Sequence, residues 1–158
     1  MAINRMQIEA PPDAVAAVLS DPTTYAAFVV GSKRIRRFDP AWPEEGAEFH
    51  HTLGVGPFIL RDLTRVVDID DGRRFELRAQ MRPLAINRVT FTLRPGEGGT
   101  DVEVEERAVE GPAALMWNPA FDGLMWLRNQ EMLRRLKRLV ERREARRSKA
   151  PGVTSNGQ

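Results

Sequence analysis

The sequence contains no cysteine, which excludes disulfides, thiolate-bound metals and thiol catalysis together. Histidine is almost as scarce: the only two, His50 and His51, are neighbours. Long apolar runs are missing as well. The longest, Ala14–Leu19 and Tyr25–Val30, fall far short of the roughly 18 residues that suggest a membrane span, so none is expected. The N-terminus places Arg5 and Glu9 in a strand-like pattern without an apolar signal region, which predicts a cytoplasmic protein. Nor does one sign of charge dominate, since 24 basic and 22 acidic side chains leave +2.

That small net charge hides an uneven distribution. Arg128 to Lys149 carries ten Arg or Lys against Glu131, Glu141 and Glu144, a net of +7, and the preceding residues carry 14 basic and 19 acidic groups, a net of −5. A basic helix end can attract nucleic acid or anionic surfaces, but it also complements the helix dipole as a solvated face. The acidic remainder lacks the aromatic–basic interleaving of single-strand binders, so nucleic acid is not an expected partner.

With 158 residues the chain has the length of one domain. Ile3–Glu9 reads as a strand, after which Ala10-Pro11-Pro12-Asp13 starts a helix with Val15, Val18 and Leu19 on one face. Ser20-Asp21-Pro22 stops it and begins a second over Thr23–Val29, with Asp21 as N-cap and Pro22 at the first helical position. From Ser32 to Glu110 the period changes to two. Strands are expected at Lys33–Phe38, Glu48–Leu53, Phe58–Ile69, Phe75–Arg82, around Val89–Leu93 and around Val102–Ala108. The turns between them include Gly54-Val55-Gly56-Pro57, Asp70-Asp71-Gly72 and Pro95–Gly99. The helical period returns after Asn118-Pro119 and predicts a long helix from about Pro119 to about Arg146. Ser148–Gln158 is small and polar, so a domain over 1–146 and a disordered tail over 147–158 are expected.

The expected fold is therefore α+β: a seven-stranded antiparallel meander, curled by its twist, around the long C-terminal helix, with two short helices closing one end. A straight helix touches only part of a curled sheet, so a cavity between them is expected, and apolar clefts with a few polar groups are default ligand sites.

The order of several segments carries a resemblance. They are Ala10-Pro11-Pro12-Asp13-Ala14-Val15, Leu19-Ser20-Asp21-Pro22 with Tyr25, Gly46 before Phe49, Arg73-Arg74-Phe75-Glu76-Leu77-Arg78-Ala79, Gly99-Thr100-Asp101-Val102, and Arg128-Asn129 with Leu133 and Leu136. Over about residues 1–145 this order resembles the START-related, Bet v 1-like helix-grip (SRPBCC) superfamily, in particular its bacterial polyketide cyclase/dehydrase-like branch. Ala16 and Phe28 stand where that family often has tryptophan. The resemblance implies a cavity for a lipid, a polyketide or another hydrophobic molecule; some members catalyse cyclisation or dehydration.

Two residues are candidates for chemistry. Phe49, His51 and Leu53 share one strand face, which turns His51 toward the apolar side, where it serves as acid or base or as a hydrogen-bonded wall residue. Glu106 lies in register with Val102, Val104 and Ala108; it is either a cavity acid or base or half of an ion pair with an arginine at the cavity mouth. The direction of Asp62 is open because Phe58, Leu60, Thr64, Val66 and the competing face Ile59, Leu63, Val67 both look apolar. Asn129 interrupts the helix stripe, and either orients a ligand or bonds a strand carbonyl. The expected ligand-contacting set is Phe49, His51, Leu53, Leu77, Met81, Phe91, Val104, Glu106, Met125, Trp126, Asn129 and Met132, with Trp117 near the helix start. No metal site and no cofactor are expected, since no second histidine or cysteine completes a ligand set. Ser20, Ser32, Ser148 and Ser155 lie in no nucleophile-elbow context.

The leading expectation is a binder of a small hydrophobic ligand. The alternatives are an enzyme of the cyclase/dehydrase kind using His51 or Glu106, and an adaptor or RNA-associated protein acting through the basic helix end. A homodimer is left open.

Overall fold

The computed structural model describes residues 1–55, 58–81, 85–111 and 119–149. The chain runs β1 (Ala2–Ile8), α1 (Pro12–Leu19), a 3-10 turn (Pro22–Thr24) leading into α2 (Tyr25–Phe28), β2 (Ser32–Phe38), β3 (Glu48–Val55), β4 (Phe58–Asp70), β5 (Arg74–Met81), β6 (Ala85–Gly96), β7 (Gly99–Glu110) and α3 (Pro119–Lys149). The strands form one curled antiparallel sheet in the order β1-β7-β6-β5-β4-β3-β2, and α3 packs on β1, α1 and α2.

The expected boundaries shift in three places. Thr23–Val29 is not one helix: Asp21 Oδ1 accepts from the Thr23 backbone N–H at 3.0 Å and holds a single 3-10 turn, which one α-turn continues. The strands from β3 onward extend by one to several residues, because paired neighbours prolong a ladder past its apolar pattern. The long helix reaches Lys149 and so takes in Arg147, Ser148 and Lys149 of the expected tail; 150–158 lie outside the described residues. So do Gly56 and Pro57 of the β3–β4 turn, Trp117, Asn118 and the side chain of Met81.

Local chemistry sets the corners. In the β4–β5 turn the Arg73 N–H donates to the Asp70 carbonyl at 2.8 Å, with Asp71 and Gly72 both at positive φ. That is a type I′ hairpin, which matches sheet twist and favours Asp-Gly. At the start of β7, a side chain on Gly99 would put its Cβ 2.0 Å from the Ile8 carbonyl oxygen. Only glycine lets β7 close there against the end of β1. The next residue, buried Thr100, donates its hydroxyl to the Ala10 carbonyl at 2.7 Å. Arg73 reaches Asp13 at 2.8 Å and ties the β4–β5 hairpin to α1.

The core lies between the inner sheet face and one face of α3. Val15, Val18 and Leu19 of α1 and Leu133, Leu136 and Val140 of α3 are buried in it. Tyr25, Phe28, Trp42 and Phe49 form an aromatic cluster with ring centroids 4.7–5.6 Å apart, tilted or edge-on as ring quadrupoles prefer.

Candidate functional site

Beyond the aromatic cluster the inner face of the sheet leaves α3. The space between them is walled by Phe49 and Leu53 of β3, Leu77 and Ala79 of β5, Val89 and Phe91 of β6, Tyr25 and Val29 beside α2, and Met132 of α3. Four further polar side chains from the strands, His51, Asp62, Thr64 and Asn87, complete it with Glu106 and Arg128. It encloses about 50 Å³, room for only a few waters.

The polar groups form two clusters on different walls. In the first, His51 and Asp62 are register partners on β3 and β4, each 3% exposed. Nε2 of His51 lies 3.2 Å from Asp62 Oδ2 and 3.4 Å from Thr64 Oγ1, and Nδ1 lies 3.2 Å from Ser32 Oγ. An ionised carboxylate only accepts, so the Asp62 contact places a proton on Nε2. Nδ1, on the other side of the ring, faces the Ser32 hydroxyl at hydrogen-bond distance. The other Asp62 oxygen accepts from the Leu63 backbone N–H at 2.6 Å.

The second cluster bridges sheet to helix. Glu106, 5% exposed, accepts from Asn87 Nδ2 at 2.7 Å and from Arg128 Nη1 at 3.1 and 3.3 Å. The arginine expected beside Glu106 is thus Arg128, whose side chain remains 25% exposed and reaches from cavity to solvent. A third polar group, the phenol of Tyr25, donates to the Leu19 carbonyl at 2.8 Å. Burial, aided by the Asp21 charge, pushes its pKa above the ordinary tyrosine range.

A family model described as polyketide cyclase / dehydrase and lipid transport matches residues 4–141. The chain belongs to that family. Its fold recurs in solved structures of low sequence identity. A Chromobacterium violaceum protein is 20% identical, with 88% of this chain and 96% of that one aligned at a TM-score of 0.70. A Staphylococcus aureus protein of unknown function is 11% identical over 91% and 94%, with a TM-score of 0.71. The di-domain ARO/CYC StfQ from the steffimycin biosynthetic pathway is 13% identical over 90% of this chain and 51% of that one, with a TM-score of 0.70. No curated protein matches the sequence.

In this member of the polyketide cyclase/dehydrase and lipid transport family, the cavity gathers Phe49, His51, Leu53, Leu77, Phe91, Glu106 and Met132 from the expected contact set. Val104, Met125, Trp126 and Asn129 lie off its wall. Val104 is sealed in the packed core beside β1. Trp126, 49% exposed, is two residues from Arg128 and so about 200° round the helix. Met125 is half-buried one turn before the cavity. Asn129 is fully buried, and neither atom of its amide has a hydrogen-bond partner among the described residues.

Sequence reasoning did not single out Tyr25, Thr64, Asn87 or Arg128 for the site, and it left Asp62 open. A usable signal was there for Asp62. Counting back from Val66 by twos puts Asp62 and Thr64 on one face, and a short β3–β4 turn brings that face beside His51. Nothing comparable marks Asn87 or Arg128, whose roles come from meeting Glu106 across the fold. Among the described residues no group of three His, Asp or Glu side chains has metal-binding geometry, and no helix is long and apolar enough to cross a membrane.

Proposed function

We propose that this cytoplasmic protein binds a small hydrophobic, lipid- or polyketide-like molecule in the cavity between sheet and α3. The observation that carries the reading is an apolar wall interrupted at two separate places by polar clusters. The apolar wall gains by excluding water, while His51 with Asp62 and Arg128 with Glu106 offer hydrogen bonds that orient a ligand's polar groups. Ligand sites typically enclose roughly 300–1,000 Å³, far more than the 50 Å³ here, so binding requires the walls to move apart. The first turns of α3 are suited to that movement, because Leu124, Trp126 and Leu127 are exposed there while Leu133, Leu136 and Val140 anchor the rest.

The test is to fill the space. Ala79→Leu adds three carbons to a half-buried wall position and should weaken a fluorescent apolar probe by about tenfold or more while leaving the melting temperature level or higher. Unaltered probe affinity would place binding elsewhere. Native mass spectrometry of the purified protein would identify what co-purifies.

The buried His51–Asp62 pair with Ser32 supports a second reading, a cyclase/dehydrase-type enzyme. Here Nδ1 of His51, held basic-side outward by Asp62, would exchange protons with the ligand through the Ser32 hydroxyl. His51→Gln would then abolish turnover of a polyketide-like substrate while leaving its affinity within a few-fold; equal turnover rules the reading out.

A further inference from the structure

The outer face of the sheet has two halves that treat charge differently. Toward β5, β6 and β7, most arginines are matched: Arg74 with Asp68 and Glu76, Arg78 with Glu110, Arg88 with Glu76, and Arg94 with Glu103, Arg107 being the exception. Toward β2, β3 and β4 they are not. Arg36, His50, Arg61, Asp62, Leu63, Arg65 and Gln80 line one open depression there, and Arg34 of β2 stands in the same cross-strand row as Thr52 and Arg61. Among the described residues no carboxylate oxygen lies within 4.0 Å of Arg34, Arg36, Arg37 or Arg61. Glu48 compensates Arg65 and stands 3.8 Å from His50, and Asp62 is turned inward to His51.

Like charges held together without counter-ions repel one another, so they mark a surface completed by an anion. Guanidinium groups suit phosphate in particular, through paired N–H donors. The same face is also apolar. Along β4 the outward positions alternate Ile59, Arg61, Leu63 and Arg65, and Ile59 is 68% exposed. A nucleic-acid backbone gains nothing from an exposed isoleucine, and single-strand binding uses aromatic stacking platforms, whereas a phospholipid interface takes up cations and apolar side chains together.

We infer that the outer face of β2, β3 and β4 docks this protein on an anionic phospholipid surface, with Arg34, Arg36 and Arg61 on lipid phosphates and Ile59 inserted among them. The inference goes beyond the cavity reading and does not rest on it. Probe binding is measured without lipid, so either can fail alone.

Flotation of the full chain with phosphatidylcholine vesicles, with and without phosphatidylglycerol, tests this. Binding should require phosphatidylglycerol and weaken as salt rises. The triple variant Arg34→Gln, Arg36→Gln, Arg61→Gln should bind about tenfold more weakly or worse, with an unchanged melting temperature because these side chains are exposed and unpaired. Ile59→Ser should also weaken binding, at low salt and high salt alike. Replacing Arg142, Arg146 and Arg147 by glutamine at the far end of α3 is the control, and should leave binding within about twofold. Any of these results would overturn the inference: equal binding to pure phosphatidylcholine, undiminished binding by the triple variant, loss of binding in the α3 control, or an RNA oligomer that competes vesicles away with no effect of Ile59→Ser. Elution by inorganic phosphate at an ionic strength where chloride fails would identify a free-phosphate site and equally overturn it.

Discussion

The cavity holds two carboxylate-centred polar clusters that differ in depth and in what they join. His51 and Asp62 sit side by side on adjacent strands, both sealed from solvent. Glu106 and Arg128 join the sheet to α3, and Arg128 keeps contact with water. The comparison teaches where each kind of polar group belongs. A pair on neighbouring strands is positioned by the ladder itself and supports the wall. A pair across the cavity ties the sheet to α3, and its open end leaves Arg128 in reach of water rather than stranded in an apolar interior.

If that distinction is sound, Asp62→Ala is the most damaging change. It removes the carboxylate that His51 Nε2 and the Leu63 N–H both face and leaves a cavity behind, and should cost about 3–5 kcal/mol in chemical denaturation. A cost below about 1 kcal/mol would mean that water reaches His51. Glu106→Gln should cost less, about 1–3 kcal/mol, because the amide still accepts from Asn87 and Arg128 can turn to solvent; probe affinity should stay within a few-fold. A cost equal to that of Asp62→Ala would erase the contrast between the two clusters.

Tyr25 sharpens the comparison from the high-pH side. It is the only tyrosine, so its ionisation can be followed directly by absorbance. Its folded pKa is raised above the ordinary value of 10.0, so its contribution to stability is fully present below about pH 10 and is lost as pH rises further. There the unfolded chain has released the phenolic proton and the folded one has not. No tyrosinate signal should appear above pH 10 until the protein unfolds. Tyr25→Phe should remove that slope and cost about 1 kcal/mol at neutral pH for the lost bond to Leu19. Early titration of the folded protein would show the phenol to be accessible.

Asn129 is a buried amide with no partner for either of its polar atoms among the described residues. Asn129→Leu should therefore stabilise the protein by about 1 kcal/mol, since two desolvated polar atoms disappear at similar volume. Destabilisation would reveal a partner for the amide. The smallest effect is expected at Arg138, exposed on another face of α3 from buried Leu136, where Arg138→Ala should cost less than about 0.5 kcal/mol.

By itself, the sequence determined the repeating features. The period of two from Ser32 to Glu110, the 3.6 period of α3, the Asp21-Pro22 cap and the Asp71-Gly72 turn are local, and backbone geometry alone makes them legible. So is the inward turn of His51 and Glu106, because strand side chains alternate and their neighbours are apolar. Tertiary structure decided what these residues meet. Arg128 is 22 positions from Glu106, and no spacing rule encodes that contact. Asp62 had apolar residues on both sides of its strand, because the outer face of β4 carries Ile59, Leu63 and Val67 as well, and only pairing with β3 fixed which way it points. Trp126 shows the converse: its composition suggests a wall residue, but the rotation of α3 set by Leu133, Leu136 and Val140 turns it to solvent. A sequence specifies which faces exist; which faces come together depends on contacts between residues far apart in the chain.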